Sequence, residues 1–523
     1  MDVVIGLDCG TSATKAVVAG PDGKVCATAS EAYPLLVPAP GRAELDPALL
    51  QAAVARALAA VAAEVQARGD HIVAVCLSAA MHGTLPMGED GSPLGPLVTW
   101  ADERAADEAA SLVADGRARD LHRRTGTPVH AMSPLAKLAW WSRHDPDLVR
   151  RTPRWGGVKE LIVAVLCDVG HVVDLSCAST TGLYDIHAGR WDEEAMEFAG
   201  VRVGQLAEVL PTTELLPGVR PDVAAATGLP PGVPIVIGAA DGVLANLGVG
   251  AVVPGAAAVS LGTSGALRTV VPAPAVDPDA GLFCYALTQD HWVVGGPVNN
   301  AGSVVRWASR ALDAPFDGPA PEGEPADLRD VALLAEAGEV PVGSQGLLCL
   351  PYLLGERAPW WRPGLSGAYV GLRREHGRGH LVRAAVEGVC QQLALVRDAL
   401  DATGLDVTEV RATGGAVVSP LWVSTLAATL DLPVRVAGSP EGTGLGACLL
   451  GFLALEHLPD LETAASLVEL HDTVEPDRVA AEHYRKMRPL VERSMLALVE
   501  VFAALDTEPG PGVSVADSAG PRS

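Results

Sequence analysis

Two small-residue turns and two aspartates are the parts of this chain whose residue types and spacing could do chemistry. Residues 3–18 read VVIGLDCGTSATKAVV, an apolar run, a turn and a second β-rich run. Asp8 closes the first run, Gly10, Thr11 and Ser12 make the turn, and Lys15 follows. Glycine lets backbone N–H groups converge and the hydroxyls add donors, so such a turn can hold a phosphate while Asp8 faces a hydrated Mg²⁺. A ligand-free hairpin satisfies the same pattern. Residues 258–271, AVSLGTSGALRTVV, repeat the plan with Gly262, Thr263 and Ser264 and a cation at Arg268. Two such hairpins half a chain apart point to two related halves that turn phosphate loops toward a shared cleft.

The second aspartate stands mid-chain in PIVIGAADGVLANLGVG, residues 234–250. A buried strand there ends near Gly238, and Asp241 precedes a helix-like run. That position suits an N-cap first. It equally lets a carboxylate project into a cleft and take the proton of an attacking hydroxyl. Ligands of α/β folds bind beyond strand ends, which brings in Met81 and His82, although such a pair is more often packing. In LVTWADERA, residues 97–105, the alternation of Trp100, Asp102 and Arg104 puts all three on one face if the segment is extended. An aromatic wall, a hydroxyl acceptor and a cation suit a carboxylate-bearing polyol; an Asp–Arg pair beside a core tryptophan fits the pattern slightly better. Lys137 reads either as a cleft cation or as solvated, and Lys159-Glu160 as an ordinary surface pair.

These groups need strands and helices to position them. Asp22-Gly23 turns the chain into a strand near residues 25–29. Leu50, Val54, Leu58, Val61 and Val65 recur at helical spacing and predict an amphipathic helix, followed by a buried strand over 72–77. Pro134 opens a helix. Further helices are expected from Lys159, over 380–400 and from Gly442, with a strand before the glycines of TGGAVVS. The stretch 313–327 reads as a surface insertion, and the polar, Pro/Gly-rich residues 506–523 as a disordered tail. The pattern is α/β throughout.

Composition narrows the function. A chain of 523 residues with 49% hydrophobic content exceeds one core and predicts two or more domains. Sixty-three acidic against 38 basic residues, net −25, argue against a nucleic-acid partner and leave any anionic ligand to locally placed cations and N–H groups. Nine scattered cysteines form no metal-binding spacing. Most lie in apolar runs, and Cys9 reads as a core thiol. No signal peptide or membrane-spanning run is evident, so a soluble, cytoplasmic protein without a membrane partner is expected.

Taken together, the segments DCGTSATKA, MSPLAKLAWW, GAADG, SLGTSG, GAYVGLRREHGRGHLVRAAVEG and TGGAVVS resemble, in order and spacing, the FGGY family of carbohydrate kinases. The resemblance spans about residues 2–455. It implies two ribonuclease H-like (actin-type ATPase) domains, here 1–241 and 242–505, with an interdomain active-site cleft for ATP, Mg²⁺ and a small sugar or sugar acid. It leaves a homodimer open. By position it implies Asp241 as general base and Asp8 beside the metal. Gly10, Thr11, Ser12 and Lys15 match one phosphate loop and Gly262, Thr263 and Ser264 the other. Gly302, Arg306, Gly414 and Gly415 fall near the nucleotide, Ser419 replaces a base-contacting residue, and Met81 and His82 match sugar contacts. Trp100, Asp102 and Arg104 extend that sugar site by their own chemistry.

Within the family, WADERA, RTGTPVHAMSPLAKLAWW, GAADGVLANLG and FCYALTQDHWVVGGPVNNAG resemble the branch that phosphorylates D-gluconate on its 6-hydroxyl. Arg104 is then the first candidate for the carboxylate, with Lys137 or Lys159 behind it. Met81-His82-Gly83 instead resembles xylulose kinases, which keeps a ketose or other polyol as the alternative. A non-catalytic protein of the same fold fits less well with Asp8, Asp241 and both loops present: a sugar sensor would have little need to keep the base, and a nucleotide-dependent chaperone would need a peptide-binding module for which the chain has no apparent room.

Overall fold

A computed structural model describes residues 1–312 and 328–507. The expected insertion at 313–327 and all but the first two residues of the expected tail lie outside them. Those two, 506 and 507, continue the last helix, Arg478–Thr507.

Two sheets of matching topology carry the chain. In the first, six-stranded, the hairpin strands Asp2–Cys9 and Ala13–Ala19 are followed antiparallel by Val25–Ala32. His71–Ala79 and then Ile235–Ala240 add in parallel on the other side of Asp2–Cys9. The seven-stranded second sheet repeats this plan: Ala256–Leu261 and Gly265–Val271 form the hairpin, His291–Val298 extends it, and Glu409–Thr413 and Val434–Ala437 add in parallel. The halves are thus two ribonuclease H-like units.

Apolar periodicity decides which face is covered. In the helix Pro47–Arg68, Leu50, Val54, Leu58, Val61 and Val65 are all buried in one core with Ile5, Leu7 and Val75 of the first sheet. Asp46 caps it, its carboxylate accepting from Ala48 N at 2.8 Å. Contrary to the expectation above, this helix is long and apolar enough to cross a membrane. Burying its five aliphatic side chains is worth on the order of 10 kcal/mol, which holds it to the sheet.

The two sheets are joined by reciprocal helices. Asp241–Gly248 leaves the end of the first sheet and packs toward the second, while Gly442–Ala454 follows the Val434–Ala437 strand and packs on the first. Leu244, Leu247, Leu445, Leu449 and Phe452 share one core with Val4, Val17 and Val236 from the first sheet and Tyr285 and Val293 from the second. The two helices touch backbone to backbone: a Cβ on Gly248 would stand 1.6 Å from the Gly442 carbonyl oxygen. Only glycine fits there.

Candidate active site

The strand ends of both sheets open on a cleft of about 290 Å³ lined by Asp8, Met81, His82, Trp100, Asp241 and Ser264, among others. Asp241 is placed by a deliberate irregularity. The ladder between His71–Ala79 and Ile235–Ala240 slips between Val236 and Ala239. At the slip Gly238 has φ +74°, and a Cβ there would lie 1.7 Å from Leu77 O. Lys159 Nζ gathers the carbonyl oxygens around it, Leu77 at 2.9 Å, Ala239 at 3.3 Å and Ile237, with the Asp174 carboxylate 3.3 Å away. The sequence-based reading of Lys159-Glu160 as a surface pair is therefore wrong. Lys159 is buried, and Glu160 folds back onto its helix start, accepting from Gly157 N at 2.8 Å.

The chain then enters the helix with Ala240 at the N-cap, without a side-chain cap, and Asp241 as first helical residue. The N-cap alternative does not hold. Asp241 Oδ1 accepts from the Gly242 N–H at 2.7 Å, and the carboxylate faces the cleft. Burial pushes its pKa up to about 7, Asp8 adding to the rise, while the Gly242 N–H and Arg268 oppose it. A carboxyl group poised near neutrality can exchange a proton with a hydroxyl.

Asp8 is the penultimate residue of the first strand, and Ser78 Oγ donates to its Oδ1 at 2.7 Å. Burial raises its pKa as well. No hydrogen bond among the described residues reaches its Oδ2. Those residues contain no cluster of three or more potential metal ligands. A Mg²⁺ that arrives with phosphates keeps several waters and needs only one or two carboxylates, so an open Asp8 oxygen beside Asp241 fits it.

The first turn is braced from two sides. Tyr33 donates to Gly10 O at 2.7 Å, and Trp100 Nε1 donates to Thr11 Oγ1 at 3.0 Å. Ser12 is exposed. Lys15 is not a free phosphate ligand, because its Nζ bridges to the Glu441 carboxylate at 3.1 Å across the two halves. The second turn is more open, with Gly262 and Thr263 exposed. Its carbonyls hold the start of the Gly302–Leu312 helix: Gly262 O accepts from Gly302 N at 2.9 Å and Thr263 O from Ser303 N at 3.2 Å. Arg306 is exposed one turn further along. Gly414 packs on the strand leading into this turn, where a Cβ would meet Leu261 O at 2.4 Å. Gly415 follows on the surface, and Ser419 sits at the N-cap of Pro420–Leu430 without capping it. The second loop and the glycines expected near the nucleotide thus share one end of the second sheet.

Met81 and His82 both line the cleft. His82 adopts φ +63°, and its Nδ1 lies 2.9 Å from the Thr180 carbonyl oxygen. A carbonyl only accepts, so Nδ1 carries the proton and Nε2 is left as an acceptor. Burial depresses its pKa to about 3, so the ring is neutral at pH 7.

Two expected substrate contacts are elsewhere. The strand stops at Val98 and the chain turns, so Trp100, Asp102 and Arg104 do not share an extended face. Trp100 lines the cleft; Asp102 and Arg104 do not. Arg104 Nε donates to Asp102 Oδ1 at 2.6 Å and its Nη2 to both Asp102 and Glu44, while the buried Asp102 also accepts from Ala43 N at 2.7 Å. This pair ties loops together. Lys137 is likewise buried, its Nζ donating to the carbonyls of His82 at 2.8 Å, Thr99 at 2.6 Å and Met132 at 2.8 Å. Burial lowers its pKa to about 7. It clamps the His82 loop rather than meeting a ligand.

Two cleft cations escaped sequence reasoning as site residues. Arg268, noted only as a strand cation, donates to Gly242 O at 2.7 Å and to Ser260 Oγ, next to Asp241. Arg357 enters from the Gly355-Glu356-Arg357 loop, its guanidinium 5.1 Å from the Trp100 ring centroid. The repeated hairpin marks Arg268 as a cation without assigning it to the site, and nothing in the spacing of Arg357 marks it at all.

Comparison with known proteins agrees with this geometry. Models of the N-terminal and C-terminal domains of the FGGY family of carbohydrate kinases match residues 3–248 and 257–455. The chain is similar to a gluconokinase of Bacillus subtilis (strain 168), with 38% identity covering 93% of this chain and 94% of the relative. Similarity to a xylulose kinase of Escherichia coli (strain K12) is 28% over 95% and 100% of the two chains. The fold superposes on a gluconate kinase from Lactobacillus acidophilus with TM-score 0.90 and 31% identity, covering 96% of this chain and 99% of the other. A ligand-bound xylulose kinase from the same organism gives the same TM-score and identity, covering 97% and 100%.

Proposed function

Because the chain belongs to the FGGY family of carbohydrate kinases, we propose that it transfers the γ-phosphoryl group of ATP to the 6-hydroxyl of D-gluconate, with Asp241 as general base. The observation that carries this reading is the Asp241 carboxylate, held at a helix start in the cleft with a pKa near neutrality. In the reaction the 6-oxygen attacks the γ-phosphorus, its proton passes to Asp241, and the bond to the β,γ-bridging oxygen breaks to release ADP. Such a base contributes roughly 10²–10⁴-fold in rate.

The remaining residues bind and align. Asp8 would hold a Mg²⁺, which supplies charge neutralisation on the phosphates. Gly10, Thr11 and Ser12, and Gly262, Thr263 and Ser264, would meet the phosphates, and Lys15 would join them only by leaving Glu441. Gly302, Arg306, Gly414 and Gly415 would border the nucleotide. Met81, His82 and Trp100 would contact the acceptor, the neutral His82 ring accepting a hydroxyl through Nε2. Residues 1–241 then form the acceptor-side half and 242–505 the nucleotide-side half. Closure of the cleft excludes water and aligns the in-line oxygens.

Gluconate is preferred to xylulose because the gluconokinase relatives are nearer in sequence, the folds superposing equally well. A coupled ADP-release assay on gluconate, xylulose and glycerol tests it. Gluconate should give the highest kcat/KM, and a higher value on xylulose would overturn the assignment.

A further inference from the structure

An aldonate acceptor has a second charged end, and the cations first expected to meet it are all engaged. Arg104 pairs with Asp102 and Glu44, Lys137 with three carbonyls, and Lys159 with Asp174 and the strand ends. The cleft is lined by two cations, Arg268 and Arg357. Arg268 is committed to the reacting end, with its Nη groups on Gly242 O and Ser260 Oγ.

Arg357 is differently situated. Among the described residues its side chain makes one hydrogen bond, a long one from Nη2 to Val298 O at 3.3 Å; its buried Nε, like that of Arg268, has no partner there. No carboxylate among the described residues forms an ion pair with it. The neighbouring Glu356 is fully buried and braces the loop instead, accepting from Asn299 N at 2.6 Å, Arg357 N at 2.9 Å and Asn300 Nδ2 at 3.1 Å. The guanidinium lies over Trp100, which is itself fixed to Thr11. Tyr285, on the same cleft, carries a buried hydroxyl without a hydrogen-bond partner among the described residues. A half-buried guanidinium with open donors and no ion-pair partner among the described residues is a site for an anion.

We infer that Arg357 receives the carboxylate of a sugar acid whose far hydroxyl lies at Asp241, and so selects aldonates over neutral polyols. This rests on the gluconate reading above. Arg268 and Arg357 then divide the acceptor between them, one beside the reacting hydroxyl and one at the acid end.

The test compares gluconate with glucitol, which has the same six carbons and no carboxylate, on wild type, Arg357→Gln and Arg357→Lys. Binding is measured by calorimetry without ATP, and turnover by ADP release. Loss of a charged hydrogen bond predicts that Arg357→Gln weakens gluconate binding and raises its KM about 10- to 100-fold. Glucitol binding and the KM for ATP should move less than twofold. Arg357→Lys should recover part of the gluconate affinity, and its ratio decides the matter if the glutamine variant does not fold. Equal losses for gluconate and glucitol, or an unchanged gluconate affinity, overturn the role of Arg357 alone. A wild type that phosphorylates xylulose but not gluconate, and binds gluconate no better than glucitol, overturns the functional reading together with it.

Discussion

The two hairpins that begin the two sheets have the same turn and a cation each, but only the first carries a carboxylate at its strand end. In the first, Asp8 pairs across the ladder with Lys15, so both point to the interdomain side. In the second, Ser260 occupies the place of Asp8, and Arg268 reaches it from the same face. The first wall of the cleft therefore presents carboxylates, Asp8 and Asp241, and the second presents guanidiniums, Arg268 and Arg357. Repetition preserved where the chain turns and where a strand ends; it did not preserve which charge stands there. A phosphoryl transfer uses both signs, an acidic side for the metal and proton and a basic side for developing or resident negative charge.

The sharpest way to break this comparison is to remove one wall's reacting group. Asp241→Asn should lower kcat by roughly 10²–10⁴-fold in a steady-state ADP-release assay while the KM for ATP changes little. The same variant should also gain thermal stability, more at pH 8 than at pH 5. A carboxyl whose folded pKa is raised to about 7 loses stability as pH climbs from its unfolded value through 7, and the amide carries no such cost. Unchanged turnover in a folded Asp241→Asn protein would remove Asp241 from the mechanism.

Arg268→Met takes the cation from the opposite wall. Because Arg268 holds the Asp241 pKa down, the acidic limb of kcat/KM should move to higher pH, and activity at pH 7 should fall about tenfold. Asp8→Asn should do the reverse to that limb, since the negative charge of Asp8 raises the Asp241 pKa. Its kcat should fall at saturating pH, and more Mg²⁺ should be needed for half-maximal rate. If both variants shift the limb the same way, the two walls are not electrostatically opposed.

The smallest effect belongs to the contact between the halves. Lys15 and Glu441 are both partly exposed, so Glu441→Gln should change stability by under about 1 kcal/mol, with the difference fading at high salt. A rise in the KM for ATP in Lys15→Gln without one in Glu441→Gln would show that Lys15 leaves its bridge for a phosphate.

Much of the architecture was legible in local pattern. The Leu50–Val65 periodicity, the strand-turn-strand signatures at Asp8 and Ser260, and the helices expected from Pro134, over 380–400 and from Gly442 correspond to observed elements, because each shows its buried face or its start signal in the local sequence. The misjudged residues are all charged. Lys137 and Lys159 look like solvated lysines, yet each fills a place where carbonyl groups converge from segments far apart in sequence. The alternation of Trp100, Asp102 and Arg104 assumed an extended segment, and a turn after Val98 sends the ion pair away from the cleft.

By itself the sequence determined the duplicated α/β plan, the small-residue turns, the strand-end aspartates and the family they belong to. These are properties of short segments whose propensities and motifs agree with one another. Tertiary structure alone decided which charges face the cleft and which are neutralised within the protein. A side chain's partners come from other strands and loops, and the field it feels depends on their distance and on the water they exclude. That is why Arg104 is a strut here, and why Arg357, unremarkable in the sequence, stands beside Trp100 with no carboxylate partner among the described residues.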